Sequence, residues 1–300
     1  MTVLDVPTRA TQSARRRNSS MTTAFVLSGG GNLGAVQAGQ VRALIEAGVR
    51  PDLVIGSSVG AINGAFVASS ADEAGCRELC ALWSNVRRTD VFPTPPLTGL
   101  GGFFGRRDHV ISDSGLRTLL RRHLRFRDLE HAPIPLHVVT CELRSGEEVL
   151  LSSGDAIDAI CASAAIPGVF PPVTIDGRVL VDGGVANNAP ISHAIDLGAD
   201  IVWVLPCGYA CALPEAPKRV AGIVMQAISI LVHQRLSVDV RRYHGTHDVR
   251  VLPTLCPLNV VPTDFRQSVR LMDEAYQAAS AWLANGTPDL TGAQGFPHHH

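Results

Sequence analysis

The chain has almost no net charge: 26 basic side chains meet 27 acidic ones, leaving a formal charge of -1 over 300 residues. It therefore lacks the overall field that draws a protein onto nucleic acid, and no nucleic-acid partner is expected. Cysteine is odd in number. The seven (Cys76, Cys80, Cys141, Cys161, Cys207, Cys211 and Cys256) lie mostly in apolar runs such as His137–Cys141, the setting of reduced core thiols rather than of a disulfide framework. Cys207 and Cys211 have no histidine at metal-ligand spacing, so no metal site is expected. Arg15-Arg16-Arg17 is not followed by the roughly 7–15-residue apolar segment of a secretory signal. The longest apolar run, Val220–Val232, contains Gln226 and Ser229 and is too short to span a bilayer. A soluble, cytoplasmic chain is the expectation. Internal repeats are also lacking.

What is present is a large supply of core: 46% of the residues are hydrophobic, enough for one sizeable domain. Residues 1–21 are polar and basic without periodicity and read as a disordered tail, residues 22–285 as a single domain, and residues 286–300 as a second disordered tail. Strand-like and helix-like stretches alternate from the start of that domain: Ala24–Leu27, Ala35–Ala47, Leu53–Ile55 and Val59–Ser69. A βαβα opening implies a parallel sheet covered on both faces. Further on, Asp176-Gly177 between two short apolar runs predicts a tight hairpin.

Three segments carry chemistry. Ser28-Gly29-Gly30-Gly31-Asn32-Leu33-Gly34 lies between a strand and a helix, where backbone N–H groups can converge on an anion. It also matches a dinucleotide fingerprint, but that reading needs an acidic residue at the far end of the second strand. Asp52 stands at the near end, and the far end is Gly56-Ser57-Ser58. A purely structural glycine turn is the other alternative. Next, Gly56-Ser57-Ser58-Val59-Gly60 is a Gly-x-Ser-x-Gly between an apolar strand and a helix opening with small residues, the context of a nucleophile elbow that lifts Ser58 off the backbone. The third is Val181-Asp182-Gly183-Gly184, an acid at the end of an apolar strand. It fits a partly desolvated base, or else an Asx turn in which the carboxylate caps its own backbone.

Together these segments resemble the patatin-like phospholipases, which carry a Gly-rich oxyanion loop, a Gly-x-Ser-x-Gly elbow and a later Asp-Gly-Gly in this order. The stretch from Ala162 to Pro172 is similar to the one leading to the acid in bacterial members. The resemblance implies a three-layer α/β/α sandwich with a mostly parallel sheet. It implies Ser58 as nucleophile, Asp182 as its base, and the N–H groups of Gly29, Gly30 and Gly31 as the oxyanion hole. It also implies a lipid or phospholipid ester as substrate and no cofactor. One departure stands out: Leu33 occupies the loop where that family usually carries Arg or Lys.

Two other functions compete. An α/β-hydrolase triad would fill its histidine position, after Ser58 and Asp182, with His193, His233, His244 or His247, although none of these lies in a recognisable loop motif. A catalytically silent protein would use the same fold to hold lipid. For lipid contact, the apolar stretch Phe92–Gly105, followed by Arg106-Arg107, reads as a flap making transient contact with a membrane surface. The run Arg117, Arg121, Arg122, Arg125 and Arg127 reads as a headgroup contact or as a solvated helix face.

Overall fold

The computed structural model describes residues 21–93, 109–208, 216, 218, 220–243, 245–255 and 264–285. The expected tails apart from Met21, most of the expected flap (94–105), Arg106, Arg107, His244, Cys211 and Cys256 lie outside the described residues, as does the side chain of His233. The elements are β1 (Thr23–Leu27), α1 (Gly34–Glu46), β2 (Leu53–Ser57), α2 (Val59–Ser69), α3 (Glu73–Asn85), α4 (Arg88–Val91), α5 (Ser114–His123) and β3 (Leu136–Glu142). They continue with β4 (Glu148–Leu151), α6 (Ala156–Ser163), β5 (Val173–Ile175), β6 (Arg178–Asp182), α7 (Ile191–Asp196), β7 (Ile201–Leu205), α8 (Val220–Tyr243), β8 (Asp248–Val251) and α9 (Ser268–Ala284).

The strands form one sheet in the order β5-β6-β3-β2-β1-β7-β8, with β4 also pairing with β3. From β3 to β8 along that order the pairing is parallel, while β4 and β6 run antiparallel to β3 and β5 antiparallel to β6. The predicted hairpin is present: Asp176 (φ 49°) and Gly177 (φ 75°) both take the left-handed conformations of a type I′ turn between β5 and β6.

Strand alternation sorts side chains into two cores, which is why helices cover both faces. Phe25, Leu27, Val54, Val138, Trp203 and Leu205 face the larger core with α1, α2, α3 and α9. Ala24, Val26, Ile55, Val139, Val202 and Val204 face the smaller one with α7 and the end of α8. The result is the three-layer sandwich anticipated above. Chain order leaves β1 in two directions, toward β2 and β3 on one side and toward β7 and β8 on the other. The carboxyl ends of strands at such a switch point leave a crevice where ligands bind in open α/β sheets.

Among the described residues Cys76, Cys80, Cys141, Cys161 and Cys207 are free thiols, and no group of three potential metal ligands occurs. No helix among these residues is long and apolar enough to cross a membrane.

Candidate active site

At the carboxyl end of β2 the chain must turn abruptly into α2, and Ser58 makes that turn with φ 55° and ψ -125°. A non-glycine residue held there is strained, and the flanking glycines show what holds it. A Cβ on Gly60 would lie 2.1 Å from the Leu27 carbonyl oxygen at the end of β1, and a Cβ on Gly56 would lie 2.4 Å from the Gly60 carbonyl oxygen. The spacing of the motif is thus set by backbone packed on backbone. Gly60→Ala is expected to lower stability by about 1–3 kcal/mol through overpacking, seen as a lower midpoint in thermal melts; a wild-type midpoint would refute the tight contact with β1.

Asp182 ends β6, opposite Thr140 of β3. Its Oδ2 accepts from Ser58 Oγ at 2.6 Å and its Oδ1 accepts from the Gly184 N–H at 2.7 Å. The Asx turn therefore uses only one carboxylate oxygen and leaves the other to accept from the serine. Burial pushes the Asp182 carboxyl up to about 6, against the opposing pull of the Ser58 and Gly184 hydrogen bonds. Such a carboxylate is a far better proton acceptor at neutral pH than a solvated aspartate.

The Gly-rich loop closes over this pair. Gly29 packs against Ser58, since a Cβ on Gly29 would lie 3.0 Å from the Ser58 Cβ. Its N–H, expected among the oxyanion donors, instead donates to the Asn188 carbonyl at 3.1 Å. The reason is the tie between the two loops: Asn188 Nδ2 also donates to the Gly29 carbonyl at 3.4 Å, and the Asn188 side chain lies against Gly184. Among the described residues, the N–H groups of Gly30 and Gly31 donate to no protein acceptor, and Gly31 lines the same pocket as Ser58. Leu33 is half-buried and packs against the larger core, so the position usually held by a cation has become a packing contact. Beneath the loop, Gln37 Nε2 donates to the Ser28 and Leu205 carbonyls, and Asn63 Nδ2 to the Gly34 carbonyl and to Gln37 Oε1.

Beside Ser58 lies a pocket walled by Val59 and Ile62 of α2, Leu82 and Trp83 of α3, Val86, Val91, Phe92, Leu116 and Leu119 of α5, and Ala164, Ile166, Phe170 and Phe265. Its polar residues are Asn32 and Ser58. Phe92 stacks on Phe170 with ring centroids 5.3 Å apart, and Trp83 on Phe265 at 6.1 Å. The sequence did not reveal this wall, because its residues come from stretches far apart along the chain.

Two of the histidines proposed for a triad, His193 and His247, lie elsewhere. His193 Nε2 is 2.6 Å from Glu148 Oε1 on β4. His247 is exposed, stacks edge-on against Tyr243, and precedes β8, at the opposite end of the parallel strands from Ser58. Among the described residues no histidine ring hydrogen-bonds to Ser58 or Asp182. Of the five arginines in the basic run, Arg117 is committed to Asp113 and Asp158, each at 2.5 Å, and Arg125 pairs with Glu78. Arg121, Arg122 and Arg127 remain exposed.

A family model described as patatin-like phospholipase matches residues 25–195. The chain belongs to the patatin-like phospholipase family. Its relatives include patatin-like phospholipase domain-containing protein 7 of Mus musculus, 29% identical over 191 residues that make up 62% of this chain and 13% of that protein. Lysophospholipase nte1 of Aspergillus terreus is 28% identical over 64% of this chain and 12% of that protein. An uncharacterized NTE family protein of Mycobacterium bovis is 32% identical over 62% of this chain and 49% of its own length. The chain thus spans at most about half the length of these relatives. Among solved structures, VipD from Legionella pneumophila aligns over 89% of this chain and 67% of its own with a TM-score of 0.49 and 16% identity.

Proposed function

We propose that this patatin-like protein is a lipid acyl hydrolase that cleaves carboxylic esters through a Ser58–Asp182 dyad. The observation that carries the reading is the 2.6 Å hydrogen bond from Ser58 Oγ to a buried carboxylate, set beside an apolar pocket. Asp182 takes the hydroxyl proton as Ser58 Oγ attacks the ester carbonyl, and the Gly30 and Gly31 N–H groups hold the developing oxyanion. Collapse breaks the bond to the alcohol, which leaves with the proton returned from Asp182. Water, deprotonated by the same carboxylate, then attacks the acyl-enzyme and frees the fatty acid and Ser58. No cofactor takes part. The first test is labelling by a fluorophosphonate probe together with hydrolysis of p-nitrophenyl esters; a folded protein inert to both would leave only the lipid-binding alternative.

The apolar wall fits an acyl chain rather than a headgroup, so a phospholipid or single-chain lipid ester is the proposed substrate. The lysophospholipase name of the Aspergillus relative is in keeping with this. Exposed Arg121, Arg122 and Arg127 would face anionic headgroups during transient contact with a lipid surface. Ile62→Trp, which fills part of the pocket, is expected to reduce kcat/KM for p-nitrophenyl palmitate relative to the butyrate by about tenfold or more, as loss of room for a few methylenes implies. An unchanged ratio would place the acyl chain elsewhere.

A further inference from the structure

The stretch Ala162–Pro172, singled out by its sequence, does more than lead to the acid. Ser163 is the last residue of α6 and is wholly buried. Its hydroxyl oxygen accepts the backbone N–H of Ser58 at 2.8 Å, and its own proton goes to the Val139 carbonyl on β3 at 2.6 Å. Two residues later the Ala165 carbonyl accepts the backbone N–H of Asp182 at 3.0 Å. One short piece of chain thus grips the main-chain amides of both members of the dyad, which are 124 residues apart in sequence.

We propose that Ser163 is a positioning residue for the nucleophile: with the Ala165 carbonyl, its hydroxyl braces Ser58 and Asp182 at the separation their hydrogen bond requires. The inference rests on the dyad reading above. Ser58 sits in a strained left-handed conformation at the start of α2, and its amide has no acceptor in its own helix. The Ser163 hydroxyl satisfies that amide and, because it is itself pinned to Val139, fixes the elbow to the strand beside it. Without the hydroxyl the elbow gains freedom to rotate, and the short Ser58–Asp182 contact is the first geometry to loosen.

A buried serine that merely satisfies its own hydrogen bonds would affect stability and nothing else, so the test needs a readout beyond stability. Ser163→Ala is compared with wild type and with Ala159→Gly, which weakens the same helix without touching the hydroxyl. Fluorophosphonate titration counts active sites, so kcat is expressed per folded site. For Ser163→Ala, kcat is expected to fall about 10- to 100-fold with KM within about twofold, as for other small misplacements of reacting groups. The acidic limb of its pH profile is expected to move to higher pH, because the Ser58 hydrogen bond that holds the Asp182 carboxyl down is weakened. Among the described residues, Asp182 is surrounded by the Ser58 hydroxyl, the Gly184 N–H and the Cys141 thiol on β3, and its shift comes from burial and the two hydrogen bonds rather than from a neighbouring charge. A loss no greater than that of Ala159→Gly, or a loss with the acidic limb in place, overturns the brace. If Ser58→Ala itself retains activity, the dyad reading fails first; if Ser58→Ala is inert and Ser163→Ala behaves as wild type, only the brace fails.

Discussion

Ser58→Ala is expected to lower the hydrolysis of p-nitrophenyl butyrate by at least about 10⁴-fold and to abolish fluorophosphonate labelling, with the circular dichroism spectrum unchanged. A factor of that size corresponds to about 5 kcal/mol of barrier, more than a loss of substrate binding alone would remove. It is expected because Ser58 is the residue at the elbow whose Oγ reaches the buried carboxylate, while the Ser57 side chain lies on the other side of the strand, near Gly183. The methyl side chain of alanine fits the same strained turn, so the loss would be chemical. Retention of more than a few per cent of the rate would remove Ser58 from the mechanism.

The second large effect concerns the base. Asp182→Asn is expected to cost about as much as Ser58→Ala. The amide keeps the shape of the turn and can still accept the Gly184 N–H, but it cannot take a proton. Replacing His193, His233, His244 and His247 one at a time is expected to leave kcat/KM within about tenfold, under about 1.4 kcal/mol of barrier. A triad would instead lose about 10³-fold or more on removal of its histidine. In wild type the rate should rise as pH rises through about 6, because the base works only when ionised and burial has lifted it there from the usual carboxylate range. An imidazole titrates near about 6.5, close enough that the pH profile alone does not separate the two. One essential histidine among the four would overturn the dyad.

Much of the fold was legible because its signals are local. The segment Val59–Ser69 appears as a helix with the boundaries its apolar and small residues predict, and Asp176-Gly177 forms its hairpin because two adjacent residues suffice to specify a type I′ turn. Capping rather than periodicity sets some helix ends: α3 begins at Glu73 because Asp72 caps it by accepting from the Gly75 N–H. The short helix α4 went unread, its single turn being too brief for any periodicity.

The site divides along the same line. Ser58 and Asp182 were readable because an elbow and an Asp-Gly-Gly turn each need a particular residue beside particular glycines within a few positions. Whether the carboxylate reaches the serine as well as its own turn was open in sequence, since the two residues are 124 apart; the 2.7 Å and 2.6 Å contacts show that it makes both. The same distance in sequence hid the fate of the Gly29 N–H, which Asn188 takes from the far side of the chain, and the role of Ser163, whose partners lie on two other elements. It hid the apolar wall as well, assembled from four helices and from segments elsewhere in the chain. The sequence by itself determined the turns, the strand faces and the residue types available for chemistry, because these follow from neighbours along the backbone. Only the tertiary structure decided which hydrogen bonds were already spoken for, how deeply Asp182 was desolvated, and what surrounds Ser58, because burial and partner choice are set by residues that only folding brings together.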